Sequence, residues 1–509
     1  MRRLMSWMAA AALAFTALVA GPAGPAAAAE GSLGAAPSVA VGEPLTVTYT
    51  TDAPDATNWV GLYADPGNGP VDQEYVGPSL DWHYAPGTSG TVTFDTTGRE
   101  PGSYELYFLA RDGYTWLTQS VDVTLTSDEP PHFAAEAFTT ANARVGEPFT
   151  LDVSGLFRDG SGTPATFGKL AGPSWLGVSA DGTLSGTPSS AGEATVTVEG
   201  RNGSGQRAEA AVTVPVRAAD QPLVGELKVM SWNLWHGGSQ VNDHRDKQLR
   251  TLLETDVDVV GLQETSSTSA RELAEALGWH HYQAGYDLGV ISRYPIVERN
   301  AGTDASVSAR IRLDERTDHD IALWNAHLAH APYGPYDACF DGMSVRRLMK
   351  REEQSGRTGQ MRDILAAMRD DLTGAEADPV LLLGDFNVPS HLDWTAATAE
   401  QHCGYGLVRW PATALAEEAG LTDSYRVANP DPAAEPGTTW SPVYPRHEGS
   451  TGAVEPQDRI DFVHYAGALS VLDSHTLVTG EPKPYGEHAD NEWTSDHAAV
   501  VTTFTVDAG

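Results

Sequence analysis

Six short segments between residues 227 and 505 each combine an apolar, strand-like run with a polar residue that can bind a metal or a phosphate. The polar residues are Asn233, Glu264, His327, Asp385 with Asn387, Asp461, and Asp496 with His497. The first four runs end just before or at their polar residue, and the last two begin there. Strand ends that meet strand starts predict a mixed sheet system with these side chains along one edge. An edge that gathers carboxylate, amide and imidazole groups is typical of an active site.

The elements that must position these residues follow an α/β pattern. The six runs read LKVMSW, VDVVGL, IALWN, VLLLG, IDFVHY and AAVVTTF. Between them, residues 245–254, 270–277 and 359–372 carry apolar side chains at helical spacing. The pattern predicts an α/β layered domain over residues 224–509.

The preceding part of the chain predicts two all-β modules, at residues 30–126 and 132–217. Short alternating stretches such as PLTVTYT, GTVTFDT and EATVTVEG are separated by Gly, Pro, Asn and Asp, which is typical of small antiparallel β-sandwiches. In the first module, NWVGLY, GSY at residues 102–104 and YFLARDGY resemble the Ig-like modules found beside phosphatases and phosphoesterases. In the second, PSWLGVSADGTLSGTP resembles the cadherin-like Ig repeats of secreted bacterial proteins. Neither module gathers catalytic residue types, so we expect spacers or adhesive modules that contact a cell surface or matrix.

Residues 1–29 have the pattern of a secretory signal peptide. Arg2 and Arg3 precede an apolar run from Met8 to Ala20, and three alanines precede Glu30. Such a segment directs export, and the paired arginines leave export in the folded state as an alternative. No further apolar run reaches the roughly 18 residues that a membrane span needs. We therefore expect a secreted, extracellular protein.

Charge and cysteine content narrow the function. The chain of 509 residues, long enough for about three domains, has 32 Lys and Arg against 68 Asp and Glu, a net charge of -36. This balance attracts divalent cations and disfavours a protein that holds long nucleic acid on a basic face; solubility in a salty exterior is the alternative reading. The two cysteines, Cys339 and Cys403, predict a disulfide between two surface loops, with two free buried thiols as the alternative.

Six motifs follow one another along residues 227–505. They are SWNLWHG, GLQE, WNAHL, LLLGDFNVPS, DRIDFV and TSDHAAV, with GVISRYPI after the second. Together and in this order they resemble the endonuclease/exonuclease/phosphatase (DNase I-like) superfamily. The resemblance implies a four-layer α/β/β/α sandwich that hydrolyses phosphoester bonds with Mg2+, or with Mn2+ or Ca2+. The predicted fold is thus multidomain, with two all-β Ig-like sandwiches followed by a four-layer α/β sandwich.

The chemistry of phosphoryl transfer favours a hard cation held by oxygen atoms. Glu264 is the first predicted ligand, because a Glu that ends an apolar strand is costly to bury unless it binds a cation or accepts hydrogen bonds. A structural hydrogen-bond acceptor is the alternative for this residue. Asp496 is the second predicted ligand, and Asn233 would offer its amide to the metal or to a phosphate oxygen of the substrate. No spacing of Cys and His indicates zinc.

Asp385 and Asn387 lie two residues apart, so in an extended segment they point to the same side. One would orient or deprotonate the attacking water while the other holds that water or a phosphate oxygen. An Asx-turn that closes the strand is the alternative. His327 is predicted to hydrogen-bond a phosphate oxygen or to assist the leaving group.

His497 has a natural partner in Asp461, since a carboxylate fixes the tautomer of an imidazole and raises its proton affinity. The pair would act as a general base or as a cation that stabilises the phosphate. Asp458, three residues before Asp461, is the alternative partner.

Residues 330–359 form an insertion, because the superfamily often passes quickly from its N-x-H motif to a helix. The insertion mixes aromatic residues with the basic residues Arg346, Arg347, Lys350, Arg351 and Arg357. We predict a substrate-selecting loop in which Arg357 binds substrate and Cys339 is pinned to Cys403; a solvated helix is the alternative. Trp440, in GTTWSP, is predicted to border the site and bind substrate.

These features predict a secreted, divalent-metal-dependent phosphoesterase that hydrolyses phosphodiester bonds by in-line attack of water. Its substrate would be DNA, cut without sequence preference, or the headgroup of a phospholipid or sphingomyelin. We expect a monomer. The alternative is a cell-surface binding or adhesion protein with an inactive phosphoesterase-like domain, which the retention of every acidic and imidazole position disfavours.

Overall fold

A computed structural model describes residues 31–65, 67, 69–99, 101–161, 164–317 and 319–506. The signal peptide predicted at residues 1–29 lies outside the described residues. Two compact units are distinguished. The first contains the described residues up to Pro37 and those within Pro44–Asp95 and Ser103–Val123. The second contains the described residues within Ser38–Glu43, within Thr96–Gly102 and from Thr124 onward. No helix among the described residues is both long enough and apolar enough to cross a membrane.

The N-terminal module is all β. Its strands are β1 (Ser32–Ala35), β2 (Ser38–Ala40), β3 (Leu45–Thr50), β4 (Trp59–Ala64), β5 (Asp81–Tyr84), β6 (Ser89–Phe94), β7 (Gly102–Leu109) and β8 (Val121–Thr126). They form sheets in the orders β1-β3-β6 and β2-β8-β7-β4-β5. On β3, Leu45, Val47 and Tyr49 are buried and the residues between them are exposed, the alternation of a strand with one face on a core.

The second module is also all β. Its strands are β9 (His132–Phe133), β10 (Ala137–Thr139), β11 (Ala143–Arg144), β12 (Phe149–Asp152), β13 (Phe157–Arg158), β14 (Thr166–Ala171), β15 (Leu176–Val178), β16 (Thr183–Gly186), β17 (Gly192–Arg201) and β18 (Arg207–Arg217). A short 3-10 helix covers Ser154–Leu156. The largest sheet has the order β10-β18-β17-β14, with β11 also paired to β18.

The rest of the chain alternates strands and helices. The strands are β19 (Glu226–Asn233), β20 (Val259–Gln263), β21 (His280–Ala284), β22 (Leu288–Ser292), β23 (Ile296–Thr303), β24 (Ser306–Asp314), β25 (His319–His327), β26 (Val380–Asp385), β27 (Thr422–Asp423), β28 (Arg446–Glu448), β29 (Thr451–Val454), β30 (Asp461–Ala466), β31 (Leu469–Leu477) and β32 (Ala499–Val506). The helices are α1 (His244–Thr255), α2 (Ser269–Leu277), α3 (Gly334–Cys339), α4 (Val345–Ser355), α5 (Arg357–Ala367), α6 (Arg369–Gly374), α7 (Pro411–Glu418) and α8 (Ser424–Ala428), with 3-10 turns at His236–Gly238 and His488–Asp490.

Two six-stranded sheets dominate this region. Their orders are β21-β22-β20-β19-β32-β31 and β23-β24-β25-β26-β30-β27. One apolar cluster joins side chains of both sheets, for example Val229 and Val259 of the first with Leu323 and Leu381 of the second. Because side chains alternate along a strand, the neighbours of these residues point the other way and pack against helices. Helices α1 and α2 cover the first sheet, and α5 and α7 cover the second.

The second β-module shares a hydrophobic core with helices α1 and α2. A single cluster of buried residues contains Leu156 and Val212 of the module together with Leu252 and Leu273 of the two helices. A buried ion pair joins Arg144 of β11 to Asp314 of β24. The module is therefore packed on the α/β region rather than tethered to it as a free spacer.

Candidate active site

The polar residues expected at one sheet edge lie there. In the second sheet, β25 and β26 are parallel and place His327 beside Asp385, and the antiparallel β30 places Asp461 opposite Asp385. In the first sheet, β19 ends at Asn233 in register with the end of β20. Parallel strands that finish together, and antiparallel neighbours that begin there, bring these side chains to one place.

Asp385 is the buried centre of the cluster. Its Oδ2 accepts hydrogen bonds from the side-chain amides of Asn233 and Asn387, both at 3.2 Å. The Nε2 atoms of His327 and His497 lie 3.5 and 3.7 Å from the same oxygen. The other oxygen, Oδ1, accepts the backbone N–H of Asn387 at 2.8 Å, so the Asx-turn is present as well. Burial raises the pKa of Asp385 to about 6, against the lowering effect of His497.

His497 pairs with Asp461 rather than with Asp458. Its Nδ1 lies 2.8 Å from Asp461 Oδ2. Asp458 instead accepts hydrogen bonds from Trp394 Nε1 at 2.7 Å and from the hydroxyl of Tyr333 at 3.5 Å. Burial alone would lower the pKa of His497, but the charges of Asp461 and Asp385 raise it well above its ordinary value. The imidazole is therefore a cation directed at the cluster.

His327 has a second partner that the sequence reasoning missed. Its Nδ1 lies 3.0 Å from both carboxylate oxygens of Asp287, in the turn between β21 and β22. Burial lowers the pKa of His327, but the hydrogen bond to Asp287 and the charge of Asp385 bring it to about 9. A signal was available, since an acidic residue directly before the apolar run LGVIS repeats the pattern of the other site residues.

The candidate metal ligands lie beside this cluster. Glu264 follows β20 with a positive φ of 56°, and its Oε2 accepts the backbone N–H of His236 at 2.9 Å. Its Oε1 lies 3.4 Å from the amide nitrogen of Asn233. The carboxylate of Asp496 is buried, and its Oδ1 has no hydrogen-bond partner within the described protein. Burial raises the pKa of Asp496 to about 7, with Glu264 adding to the rise.

The ligand atoms of Glu264 and Asp496 fit a hard cation. Glu264 and Asp496 contribute oxygen atoms, and a buried carboxylate oxygen without a partner is costly unless a cation or a proton satisfies it. A second group, made of Asp385, Asp461 and His497, has ligand atoms within 4.8 Å of one another. In that group the His497 ring is already bonded to Asp461 Oδ2. Asp461 Oδ1, like Asp496 Oδ1, has no hydrogen-bond partner among the described residues.

Arg357 is not at a binding surface, which corrects the prediction that it binds substrate. Its guanidinium is fully buried and paired with Glu352. The remaining donors bond the carbonyl oxygens of Ala329, at 2.8 Å, and Pro332, at 2.6 Å. With its donors engaged inside the protein, Arg357 anchors the start of the insertion. A basic residue in an acidic chain indicated an exposed contact with substrate. In the fold, Arg357 is instead buried beside Glu352, which neutralises its charge.

The insertion contains helices α3 and α4 and the start of α5, so the helical alternative describes its backbone. Cys339 and Cys403 form the predicted disulfide, with their Cα atoms 5.4 Å apart. Trp440 lies at the site, with its ring centroid 5.0 Å from that of His497. The structure thus brings together every predicted site residue of the sheet edge and Trp440, and it leaves out Arg357.

Comparison with known proteins identifies the class. The model of the endonuclease/exonuclease/phosphatase family matches residues 230–497, and that of the family described as "Putative Ig domain" matches residues 130–217. The chain belongs to the endonuclease/exonuclease/phosphatase family, whose members are hydrolases that act on phosphoester bonds.

Several individual proteins are similar to this chain. An uncharacterized protein of Caenorhabditis elegans is 34% identical over 292 residues, which are 55% of this chain and 91% of the relative. Among solved structures, a family member from Bacteroides thetaiotaomicron is 17% identical, covering 57% of this chain and 100% of the other, with a TM-score of 0.37. An AP endonuclease from Leishmania major is 16% identical, covering 55% and 88%, with a TM-score of 0.36.

Proposed function

We propose that this protein is a divalent-metal-dependent phosphodiesterase in which water attacks phosphorus in line. The observation that carries the proposal is the set of groups around Asp385. Two amides and two imidazoles lie within 3.7 Å of its carboxylate oxygens. Such a set can hold a water molecule, accept its proton and surround a phosphoryl group with hydrogen-bond donors. Nucleic acid and phospholipid or sphingomyelin headgroups are the two substrate classes in view.

The residues would divide the work as follows. Asp385 and Asn387 orient the attacking water, and Asp385 accepts its proton as the new oxygen–phosphorus bond forms. His497, held by Asp461, donates to a phosphate oxygen that gains charge in the transition state. His327 donates to a second phosphate oxygen or to the oxygen of the leaving group as the old bond breaks. Asn233 positions Asp385 and can donate to the phosphate.

The metal would be held by Glu264 and Asp496, with Asn233 beside them. Support comes from the unpaired Oδ1 of Asp496 and from its raised pKa. A bound Mg2+, Mn2+ or Ca2+ would neutralise charge on the phosphate. The cation would also reduce the repulsion between the carboxylates of Glu264 and Asp496.

Further proposals concern the setting of this chemistry. We infer a secreted monomer, and the disulfide supports the secreted location because such bonds persist in oxidising compartments. The two sheets and their flanking helices support a four-layer α/β/β/α sandwich, and the two β-modules support two Ig-like domains that contact a cell surface or matrix.

The test is EDTA-sensitive hydrolysis of bis-p-nitrophenyl phosphate by the purified protein and by Asp385→Asn. We expect the variant to lose at least about 100-fold in kcat/KM, because an amide accepts no proton. Asp363→Asn, the same change on the exposed side of α5, is the matched control and should keep full activity. Plasmid DNA and sphingomyelin, assayed in parallel, separate the substrate classes. If the protein binds one of these three substrates but hydrolyses none of them, the alternative of a binding protein with an inactive phosphoesterase-like domain would be favoured.

A further inference from the structure

A group of aromatic side chains lies next to His497 and is not used by the chemistry above. It consists of Tyr336 and Phe340 at helix α3 and its C-terminal end, Trp440 and His447, and we call it the aromatic wall. Trp440 contacts His497, with ring centroids 5.0 Å apart and planes inclined by 62°. Tyr336 and Phe340 stack at 5.2 Å, and His447 packs on both of them. The wall therefore extends from the candidate active site to the insertion.

The carboxylate of Glu455 joins the parts of the wall. Glu455 is 2% exposed. Its Oε1 accepts hydrogen bonds from Trp440 Nε1, at 2.8 Å, and from the hydroxyl of Tyr336, while its Oε2 lies 3.1 Å from His447 Nδ1. A buried carboxylate is costly unless hydrogen bonds satisfy it. Three rings from three separate segments are thus fixed by one buried group.

The insertion side of the wall is held from behind. Arg357 bonds the carbonyl oxygens of Ala329 and Pro332, just before α3. The disulfide ties Cys339, the last residue of α3, to Cys403. Tyr333, one residue before α3, bonds the buried Asp458. These contacts keep the rings of α3 in place, so a ligand meets a formed surface.

The wall also has a surface that a ligand can reach. Phe340 is 39% exposed, and His447 is exposed beside it. Trp440 stacks on Tyr444 at 5.4 Å, and Tyr444 stacks on the exposed Tyr485 at 5.3 Å. An exposed set of stacked rings next to a reactive centre is suited to another planar ring.

We propose that the aromatic wall binds a planar ring attached to the scissile phosphate, namely the base of a short nucleotide, and that Glu455 is a positioning residue for it. This inference rests on the proposed function, since it assigns the substrate class of the same site. Stacking on aromatic rings is sequence-tolerant because every base has a π-face. The net charge of -36 disfavours a long polyanion but not a short one.

The experiment compares binding of two ligands that share a sugar phosphate. Calorimetry with Mg2+ present measures the Kd of thymidine 5′-monophosphate and of 2-deoxyribose 5-phosphate. We expect the Kd of the nucleotide to be lower than that of the sugar phosphate by about tenfold or more. Phe340→Ala should remove most of this preference for the nucleotide. Leu407→Ala, at an apolar residue that is 71% exposed, is the control and should keep it. Because binding is measured, absence of hydrolysis would count against the proposed function alone.

Glu455 is tested with two replacements of similar size. Glu455→Gln keeps an oxygen acceptor for Trp440 and Tyr336 and should retain the preference. Glu455→Leu removes the acceptor and should lose it, while the Kd of the sugar phosphate stays unchanged. In hydrolysis of the p-nitrophenyl ester of thymidine 5′-phosphate, the loss should appear in KM more than in kcat.

Two results would overturn the inference. The first is equal binding of nucleotide and sugar phosphate by the parent protein. The second is binding to sphingomyelin vesicles that Phe340→Ala abolishes while the nucleotide preference is unaffected, which would assign the wall to a lipid surface.

Discussion

Asp287 holds His327 by its Nδ1 atom, 3.0 Å from each carboxylate oxygen, and leaves Nε2 directed at Asp385. The bond joins the turn after β21, in the first sheet, to the end of β25, in the second. It orients the imidazole and keeps it protonated. One of the two histidines at the site is thus set by a residue that none of the six motifs contains.

Replacing Asp287 should narrow the pH range of the enzyme. Asp287→Asn removes the hydrogen-bonded carboxylate that, together with the charge of Asp385, brings the pKa of His327 to about 9, so the pKa should fall toward its ordinary value of about 6.5. The cationic form would then be lost above that pH. We expect kcat/KM for bis-p-nitrophenyl phosphate to fall about tenfold or more at pH 8 and less at pH 6. Asp304→Asn, in the exposed turn between β23 and β24, is the control; an equal loss at both pH values would contradict the assignment.

Asp496 should destabilise the folded state of the metal-free protein. Above pH 7 its carboxylate is charged, buried and without a partner at Oδ1. In EDTA at pH 8, we expect Asp496→Asn to raise the free energy of unfolding by about 1–3 kcal/mol. Mg2+ should raise the Tm of the parent protein, because a ligand that binds the folded state stabilises it, and should leave the Tm of the variant unchanged.

The matched control for this change is Asp363→Asn, which should keep the Mg2+ effect on Tm. A shift in Asp496→Asn as large as in the parent would mean that Asp496 is not a ligand. The group of Asp385, Asp461 and His497 would then become the metal site to test.

The ion pair between Arg144 and Asp314 should be important for stability. The two side chains are 2% and 5% exposed, and loss of one partner leaves a buried charge. We expect Arg144→Ala to lower the free energy of unfolding by about 3–5 kcal/mol, measured by urea denaturation. Arg207→Ala is the control, because the Arg207 side chain is 63% exposed and its pair with Glu199 should contribute less than about 1 kcal/mol. Similar effects of the two changes would contradict a large contribution of the buried Arg144–Asp314 pair to stability.

The same interface should respond to pH through His132. The hydrogen bond to Asp246 raises the pKa of His132. Burial alone would raise the pKa of Asp246, but the hydrogen bond to His132 and the charge of Arg158 lower it below its ordinary value. A raised His pKa stabilises the fold below about pH 6.5 and loses this effect as pH rises through the folded-state pKa; a lowered Asp pKa stabilises above about pH 3.9 and fails on acidification.

The stability difference between the parent and His132→Gln should therefore be largest between about pH 4 and 6.5. Because the His132 side chain is half-exposed, we expect less than about 1 kcal/mol. Urea denaturation at pH 5.5 and pH 9 measures it, and a difference that grows toward pH 9 would contradict the pairing.

The sequence by itself determined the elements of the site. Apolar runs with a polar residue at one end predicted the strands and the shared edge, because side-chain alternation and strand polarity are local properties. The order of the motifs placed Asp385, Asp461 and His497 in one family of hydrolases. The two cysteines predicted their own disulfide.

Tertiary structure alone decided which side chains meet across the two sheets. Asp287 reaches His327 from a different sheet, and Arg357 turns inward to Glu352 although its charge suggested an exposed contact. Glu455 gathers rings that lie more than 100 residues apart in the chain, such as Tyr336 and Trp440. Such contacts depend on how the layers pack, and a local pattern of residue types does not predict which residues distant in the sequence become neighbours. The physical reason is that burial and pairing depend on neighbours in space, whereas periodicity depends only on neighbours in sequence.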